Sequence, residues 1–147
     1  MSVAVRRAGA NDLDALASLF DAYRQFYQQA SDVAGARAYL GERIALGESV
    51  LLIAGDEAQA AGFVQLYPLF SSVRMGRVWV LNDLYVTPAA RRMGVARALL
   101  DASTEFARER GALGLQLETG QDNHSAQALY RDAGWTQDTN LHFHLDF

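Results

Sequence analysis

Arg91-Arg92-Met93-Gly94 stands between an apolar run ending Leu84-Tyr85-Val86 and an amphipathic stretch opening Val95-Ala96. That order reads as a strand handing over through a tight turn to a helix. The first N–H groups of a helix have no intrahelical partner, and the helix dipole adds positive charge at the same point. Pro88 stops the strand, Gly94 lets a ligand approach the backbone, and the small Ala96 keeps the first helical turn slim. The N–H groups of Met93, Gly94, Val95 and Ala96, with Arg91 and Arg92 beside them, therefore read as an anion site, most naturally for phosphate. Each charge-assisted bond to such an anion contributes about 1.5–3 kcal/mol. Taken alone, Arg91-x-x-Gly94-x-Ala96 also describes a surface turn with solvated arginines.

A second group follows the next apolar run. Asn123-x-x-Ala126-x-x-Leu129-Tyr130 closes at Gly134-Trp135. Asn123 falls where a strand opens into a helix and is able to bond a ligand between strands. Ala126 leaves room for that ligand, and Tyr130 lies one turn on along the same face. A third group, Asn82-Asp83, interrupts an otherwise apolar run, and burying two polar residues is costly unless they serve something. Glu118, at the end of the run over residues 112–118, supplies a second carboxylate near the same place.

The elements that must hold these groups follow from periodicity. Residues 3–7 alternate as a short strand. Leu13, Leu16, Phe20, Tyr23 and Tyr27 recur at helical spacing after Asn11 or Asp12, with Asp14, Asp21, Arg24 and Gln28 on the opposite side. A shorter helix opens at Asp32 and ends at Gly47. The apolar residues 50–54, closed by Gly55-Asp56-Glu57, and residues 60–67 form a hairpin. Residues 68–76 read as a loop and 77–86 as the third strand. Residues 80–86, the helix from Gly94 to about Arg110, and residues 112–118 make a parallel strand–helix–strand unit. A short helix over residues 125–132 and an outer strand over 139–146 complete the chain.

With 147 residues, half of them hydrophobic, one domain over residues 1–147 is expected. There is no cysteine, which excludes a thiol nucleophile and a thiolate metal site. All 13 basic residues are arginine, so no lysine Schiff base is available, and the net charge of −4 argues against a nucleic-acid partner. His142 and His144 share a strand face without a third ligand, so no metal is expected. The first residues lack a signal-peptide core and no run is long enough to span a membrane, giving a cytoplasmic expectation. The outer strand over 139–146 offers an edge for a homodimer.

Together the motifs L-x-V-x-P-x-x-R-x-x-G-x-A-x-x-L-L, from Leu84 to Leu100, and N-x-x-A-x-x-L-Y-x-x-x-G-W, from Asn123 to Trp135, resemble the GNAT superfamily of N-acetyltransferases. The resemblance covers essentially the whole chain. It implies an α/β (α+β) fold: a mixed, mostly antiparallel sheet of six to seven strands flanked by about four helices, the parallel unit at its centre. It also implies acetyl-CoA as co-substrate and an amine acceptor. The N–H groups of residues 93–96 would hold the pyrophosphate. The backbone of Leu84, Tyr85 and Val86 would pair with the pantetheine arm, Asn123 and Ala126 would flank it, and Tyr130 would protonate the departing thiolate.

That chemistry has two demands. An amine of pKa near 10.4 is neutral in roughly one molecule in two thousand at pH 7, so about 4–5 kcal/mol of deprotonation must be met. The thiolate needs an acid, and tyrosine can supply a proton without prior ionisation. Leu81-Asn82-Asp83-Leu84-Tyr85-Val86 looks like the L-E-D-x-x-V of polyamine acetyltransferases, with asparagine in place of the glutamate. Asp83 is then a base, a substrate anchor or a hydrogen-bonded kink at a bulge, and Glu118 is the other candidate base, directly or through water. Tyr27, Phe70, Asn82 and Asp83 are expected at the acceptor site, among the aromatics Tyr23, Phe26 and Trp79. The Phe70-Ser71-Ser72 loop and the first helix look most similar to the yeast histone- and polyamine-acetyltransferase-like branch. A polyamine, another small amine or a basic protein tail is the expected acceptor. The competing reading is an acyl-CoA-binding sensor or interaction module without turnover, and a protein N-terminus or lysine is the alternative acceptor.

Overall fold

The computed structural model describes residues 3–56 and 58–147; Met1, Ser2 and Glu57 lie outside them. Strands β1 (Val5–Arg7), β2 (Val50–Gly55), β3 (Ala60–Ser71), β4 (Gly76–Val86) and β5 (Gly114–Gln116) form one sheet in that spatial order. All neighbours are antiparallel except β4 and β5, which are parallel. Helices α1 (Leu13–Phe26) and α2 (Val33–Ala45) precede β2, α3 (Val95–Glu109) crosses from β4 to β5, and α4 (His124–Asp132) follows β5.

The fully apolar β2 follows from its burial on both faces. Leu51 and Ile53 meet Leu16, Phe20 and Leu40 of α1 and α2, with Phe63 of β3. Val50, Leu52 and Ala54 face the other way, into a core with Leu66, Leu81, Leu99 and Phe106 that α3 covers. Asp32 caps α2 by accepting from Gly35 N–H at 2.9 Å.

Four expectations are corrected. The sheet has five strands among the described residues, not six or seven. Residues 139–146 form no strand and are exposed: apolar alternation alone does not make a strand without a pairing partner. Residues 68–71 extend β3 rather than forming a loop: β2 pairs with β3 only as far as Leu66, so the missing N–H of Pro68 falls on an edge with no ladder partner. Asp21 is buried, not on the solvent side of α1; it accepts from Ser31 Oγ (2.7 Å) and Asp32 N–H (2.6 Å), tying the α1–α2 connection to the helix.

Asp12 accepts two bonds from Arg6 (2.6 and 3.0 Å) and one from Gly9 N–H (2.9 Å). The Arg6 bonds, then the Gly9 bond, bring its pKa down to about 2. A depressed carboxylate stabilises the fold above its unfolded pKa and loses that contribution as pH falls through the folded value. Asp12→Asn should therefore unfold at lower denaturant than wild type at pH 6, and the two proteins should converge as pH falls from about 4 towards 2. A constant gap across that window in urea titrations would refute the assignment.

Candidate active site

The sheet is closed at one end and open at the other. β4 pairs with β5 only from Val78 to Val80, whereas it pairs with β3 as far as Val86. Beyond Val80 the two parallel strands part, and the β5-side edge of Leu81–Val86 has no ladder partner among the described residues. The ladder also skips a residue there: Gln65 opposes Asp83 and Leu66 opposes Leu81, so Asn82 is the extra residue of a bulge. A cleft of about 510 Å³ occupies the parting, with Leu84, Tyr85, Val86, Arg91, Arg92 and Ala96 on one wall and Glu118, Asn123, Ala126 and Tyr130 on the other. Tyr23, Phe26, Tyr27 and Asn82 line its mouth.

The turn before α3 is set by backbone conformation. Arg92 (φ 65°) and Gly94 (φ 79°) are both left-handed, with Gly94 as the N-cap of α3. A non-glycine residue held there costs about 1–3 kcal/mol and persists where the surroundings or a function demand it. Alternating left-handed turns aim successive N–H groups at one point, a concavity suited to phosphate oxygens. Glycine at 94 is thus required first by its φ; a Cβ there would meet open space, not protein. Val95 puts its side chain in the core. Met93 and Gly94 line a shallower depression against α3 and residues 3–5, next to the main cleft. Arg91 Nε donates to Val86 O at 3.2 Å, which pins the turn to the end of β4. Gly94→Ala is expected to weaken binding of an anionic ligand at this turn about tenfold, since left-handed alanine costs about 1–2 kcal/mol and narrows the approach. Titration of wild type and variant with CoA tests it.

On the α1 side lies a polar seam. Asp83, 4 % exposed, accepts from Gln65 Nε2 at 2.7 Å and from Asn82 Nδ2 at 3.1 Å. The Tyr23 hydroxyl lies beside it and donates to the Asn82 carbonyl at 3.5 Å. Burial raises the Asp83 pKa above the ordinary carboxylate range, and the hydrogen bonds around it only partly offset that. Tyr23 is pushed up too, by burial first and then by the Asp83 charge. Asp83 does not itself line the cleft; Asn82 and Tyr23 stand between it and the opening. Gln65 is buried, and its Oε1 finds no donor among the described residues.

Tyr130, on α4, is half-buried. Burial, then the neighbouring Tyr27, raises its pKa, so the phenol stays protonated well beyond neutral pH. Asn123 caps α4 by accepting from Ala126 N–H at 3.3 Å, which commits its carbonyl. Its Nδ2 donates to no protein group among the described residues. Glu118 lies past the end of β5, exposed on the cleft rim and not in the ladder.

Phe70 is not part of this site. It pairs across from Arg77 near the far end of the β3–β4 hairpin, with the Arg77 guanidinium 4.3 Å from its ring. Five strand positions separate it from Gln65, roughly 17 Å at 3.4 Å per residue. The sequence reading missed Gln65. Its signal was a lone amide in the apolar run Phe63-Val64-Gln65-Leu66.

Parted parallel strands, with a left-handed turn at the head of the following helix, leave an open strand edge beside a cleft. Residues 16–135 match the model of the acetyltransferase (GNAT) family, and the chain belongs to that family. It is similar to the uncharacterized N-acetyltransferase YhfO of Bacillus subtilis, 46% identical over 143 residues, 97% of this chain and 96% of that one. A crystal structure of a probable acetyltransferase superposes with a TM-score of 0.91 at 38% identity, covering 100% of this chain and 98% of the other. The D-amino-acid N-acetyltransferase HPA3 of Saccharomyces cerevisiae is 33% identical over 87 residues, 59% of this chain and 54% of its own length. Among the described residues no helix is long and apolar enough to cross a membrane.

Proposed function

We propose that residues 1–147 form one cytoplasmic N-acetyltransferase domain, working as a homodimer, that moves the acetyl group of acetyl-CoA to a primary amine by direct attack in a ternary complex. The observation that carries this reading is the open β4 edge over Leu81–Val86, with an anion nest at one end and the Asp83 seam at the other. The pyrophosphate sits on the N–H groups of residues 93–96 with Arg91 and Arg92 beside it. The pantetheine amides pair with β4 at Leu84 and Val86, alongside Tyr85 and between Ala126 and the Nδ2 of Asn123.

The acceptor enters on the α1 side, against Tyr23, Phe26 and Tyr27, whose ring faces attract a cation. Glu118, exposed on the opposite rim, draws the ammonium in. The ammonium first gives one proton to the Tyr23 hydroxyl as that hydroxyl passes its own to Asp83, so Asp83 is the ultimate base and Tyr23 its relay. The neutral amine nitrogen then bonds to the thioester carbonyl carbon as the C–S bond breaks, and Tyr130 Oη gives its proton to the leaving sulfur. The second proton shed by the nitrogen restores the Tyr130 phenol.

A small acceptor, such as a polyamine or an amino acid, fits better than a protein tail. A wide groove would need residues 68–76 as a wall, and Phe70 lies far from the cleft. The yeast relative named for D-amino acids carries an acceptor of this size class. Release of free CoA, followed with a thiol reagent against polyamines, amino acids and lysine peptides, tests the reading. Turnover fastest with a small amine supports it; peptide-only turnover refutes the acceptor class, and tight acetyl-CoA binding without CoA release refutes the enzyme.

A further inference from the structure

Gln65 belongs to no wall of the cleft, yet it holds the carboxylate that lies behind one. It is fully buried on β3, its neighbours Val64 and Leu66 turned into the α3 core, and it stands directly across the ladder from Asp83. Its Nε2 donates to Asp83 Oδ2 at 2.7 Å, while Asn82 Nδ2 donates to Oδ1 at 3.1 Å. Each carboxylate oxygen thus takes one amide, one from the interior and one from the exposed residue of the bulge. Packing alone does not explain a glutamine here. Its Oε1 is buried without a donor among the described residues, which weakens the fold. A methionine of similar length would fill the same room with no polar atom to satisfy.

Among the described residues no cation faces Asp83. From α1 it meets the Tyr23 hydroxyl, from β3 Gln65 and, at longer range, the Tyr67 hydroxyl, and on its own strand Asn82. Tyr67 is tied to Tyr39 of α2 by a hydroxyl–hydroxyl bond of 2.7 Å, and Arg43 of that helix acts on Tyr67 and on the Tyr39 ring rather than on Asp83. Tyr130 of α4 acts on Tyr23. α3, on the opposite face of the sheet, meets it with apolar side chains. A guanidinium bonded to Asp83 would keep the carboxylate ionised but make it a poor proton acceptor, and with no donor at all burial would leave it protonated. A neutral amide lies between these limits. It favours the ionised form without a full opposing charge, which is the range in which a general base works.

We propose that Gln65 is a positioning residue for the acetyl transfer, its amide keeping Asp83 in the orientation and charge state that take up the proton relayed by Tyr23. This deepens, and rests on, the reading of Asp83 as the ultimate base. Gln65 touches neither the substrates nor the reacting atoms; it acts through the carboxylate.

Gln65→Met removes the donor and keeps the length of the side chain. The side-chain carboxyl carbon of Asp83, assigned by the loss of its NMR signal in Asp83→Asn, is titrated in wild type and variant beside the pH profile of kcat. Losing one charge-assisted bond corresponds to a midpoint about 1–2 pH units higher. The expected result is that the NMR midpoint and the acid limb of kcat both rise by that amount, and that the variant regains nearly the wild-type kcat on the alkaline side. A merely structural defect would lower kcat at every pH. An unmoved midpoint, with the wild-type acid limb still absent from Asp83→Asn, overturns the role of Gln65 and leaves Asp83 as the base. A midpoint that rises while the acid limb stays fixed removes Asp83 from the chemistry, and the role of Gln65 falls with it. Should Gln65→Met not fold, the wild type decides: the side-chain amide signal of Gln65 is expected to shift with the Asp83 midpoint, and a signal unchanged through that midpoint overturns the proposal.

Discussion

Tyr130→Phe lowers kcat by about 10²–10⁴-fold, the usual contribution of a positioned general acid, while the acetyl-CoA KM stays within about threefold of wild type. The leaving group sets the demand for a proton donor. A thiolate departing into a cleft between two strands is poorly solvated, and Tyr130 is the phenol on the α4 wall of that cleft. Its pKa is raised by burial and by Tyr27, so the proton is present at every pH at which the fold is normally handled. At about 1.4 kcal/mol per tenfold, the expected loss corresponds to roughly 3–5.5 kcal/mol of barrier. Phenylalanine keeps the ring, its packing on the α3 core and its neighbour Trp135, 6.1 Å away between centroids, so stability should change little. Steady-state kinetics with saturating amine, beside a thermal melt, measure both sides. A kcat within threefold of wild type would remove Tyr130 from the chemistry and leave the thiolate to depart unprotonated.

How far the sequence disclosed this arrangement depends on the range of the interaction responsible. The Arg91–Ala96 turn was legible, because it is set by local chemistry: a proline, a glycine and a helix start. The placing of Asn123 at the head of a helix, with Tyr130 further along it, was legible for the same reason. The reach of β5 was not. Residues 112–118 alternate as a strand throughout, but only Gly114–Gln116 pair, because β4 turns away after Val80 and pairing is decided by the partner. Glu118 therefore leaves the ladder and becomes a rim residue. Phe70 was misplaced by reading Pro68 as a break, when an edge without a ladder partner tolerates it. Gln65 escaped because the partner that explains it is eighteen residues away across a bulge. Asp21 was likewise assigned to solvent by helical phase alone, although the returning chain at Ser31 and Asp32 buries it.

The buried carboxylate makes the second large prediction: Asp83→Asn should lower kcat by about 10²–10³-fold, within the range for a general base, and should not lower stability. Burial holds the folded pKa of Asp83 above its unfolded value. In that case the native state binds more protons through the window between the two values, and stability falls as pH rises across it. At neutral pH the ionised Asp83 thus costs the fold free energy, which the asparagine no longer does. Asparagine can still accept from Gln65 Nε2, and the exposed Asn82 can turn to water. The melting temperature at pH 7 should be equal to or above that of wild type, and the gap should close as pH falls below the raised pKa. The same titration governs activity, since the wild-type kcat should decline on the acid side as Asp83 takes up a proton, and this limb should disappear in the variant. Tyr23→Phe should share the kcat loss without the gain in stability, as it removes the relay but leaves the charge buried. Glu118→Gln should instead raise the amine KM several-fold and spare kcat, because an exposed rim carboxylate attracts the ammonium without holding its proton. The reverse split, with kcat lost in Glu118→Gln and retained in Asp83→Asn, would move the base to the other wall of the cleft and reduce the Gln65–Asp83–Asn82 cluster to a structural clasp at the bulge.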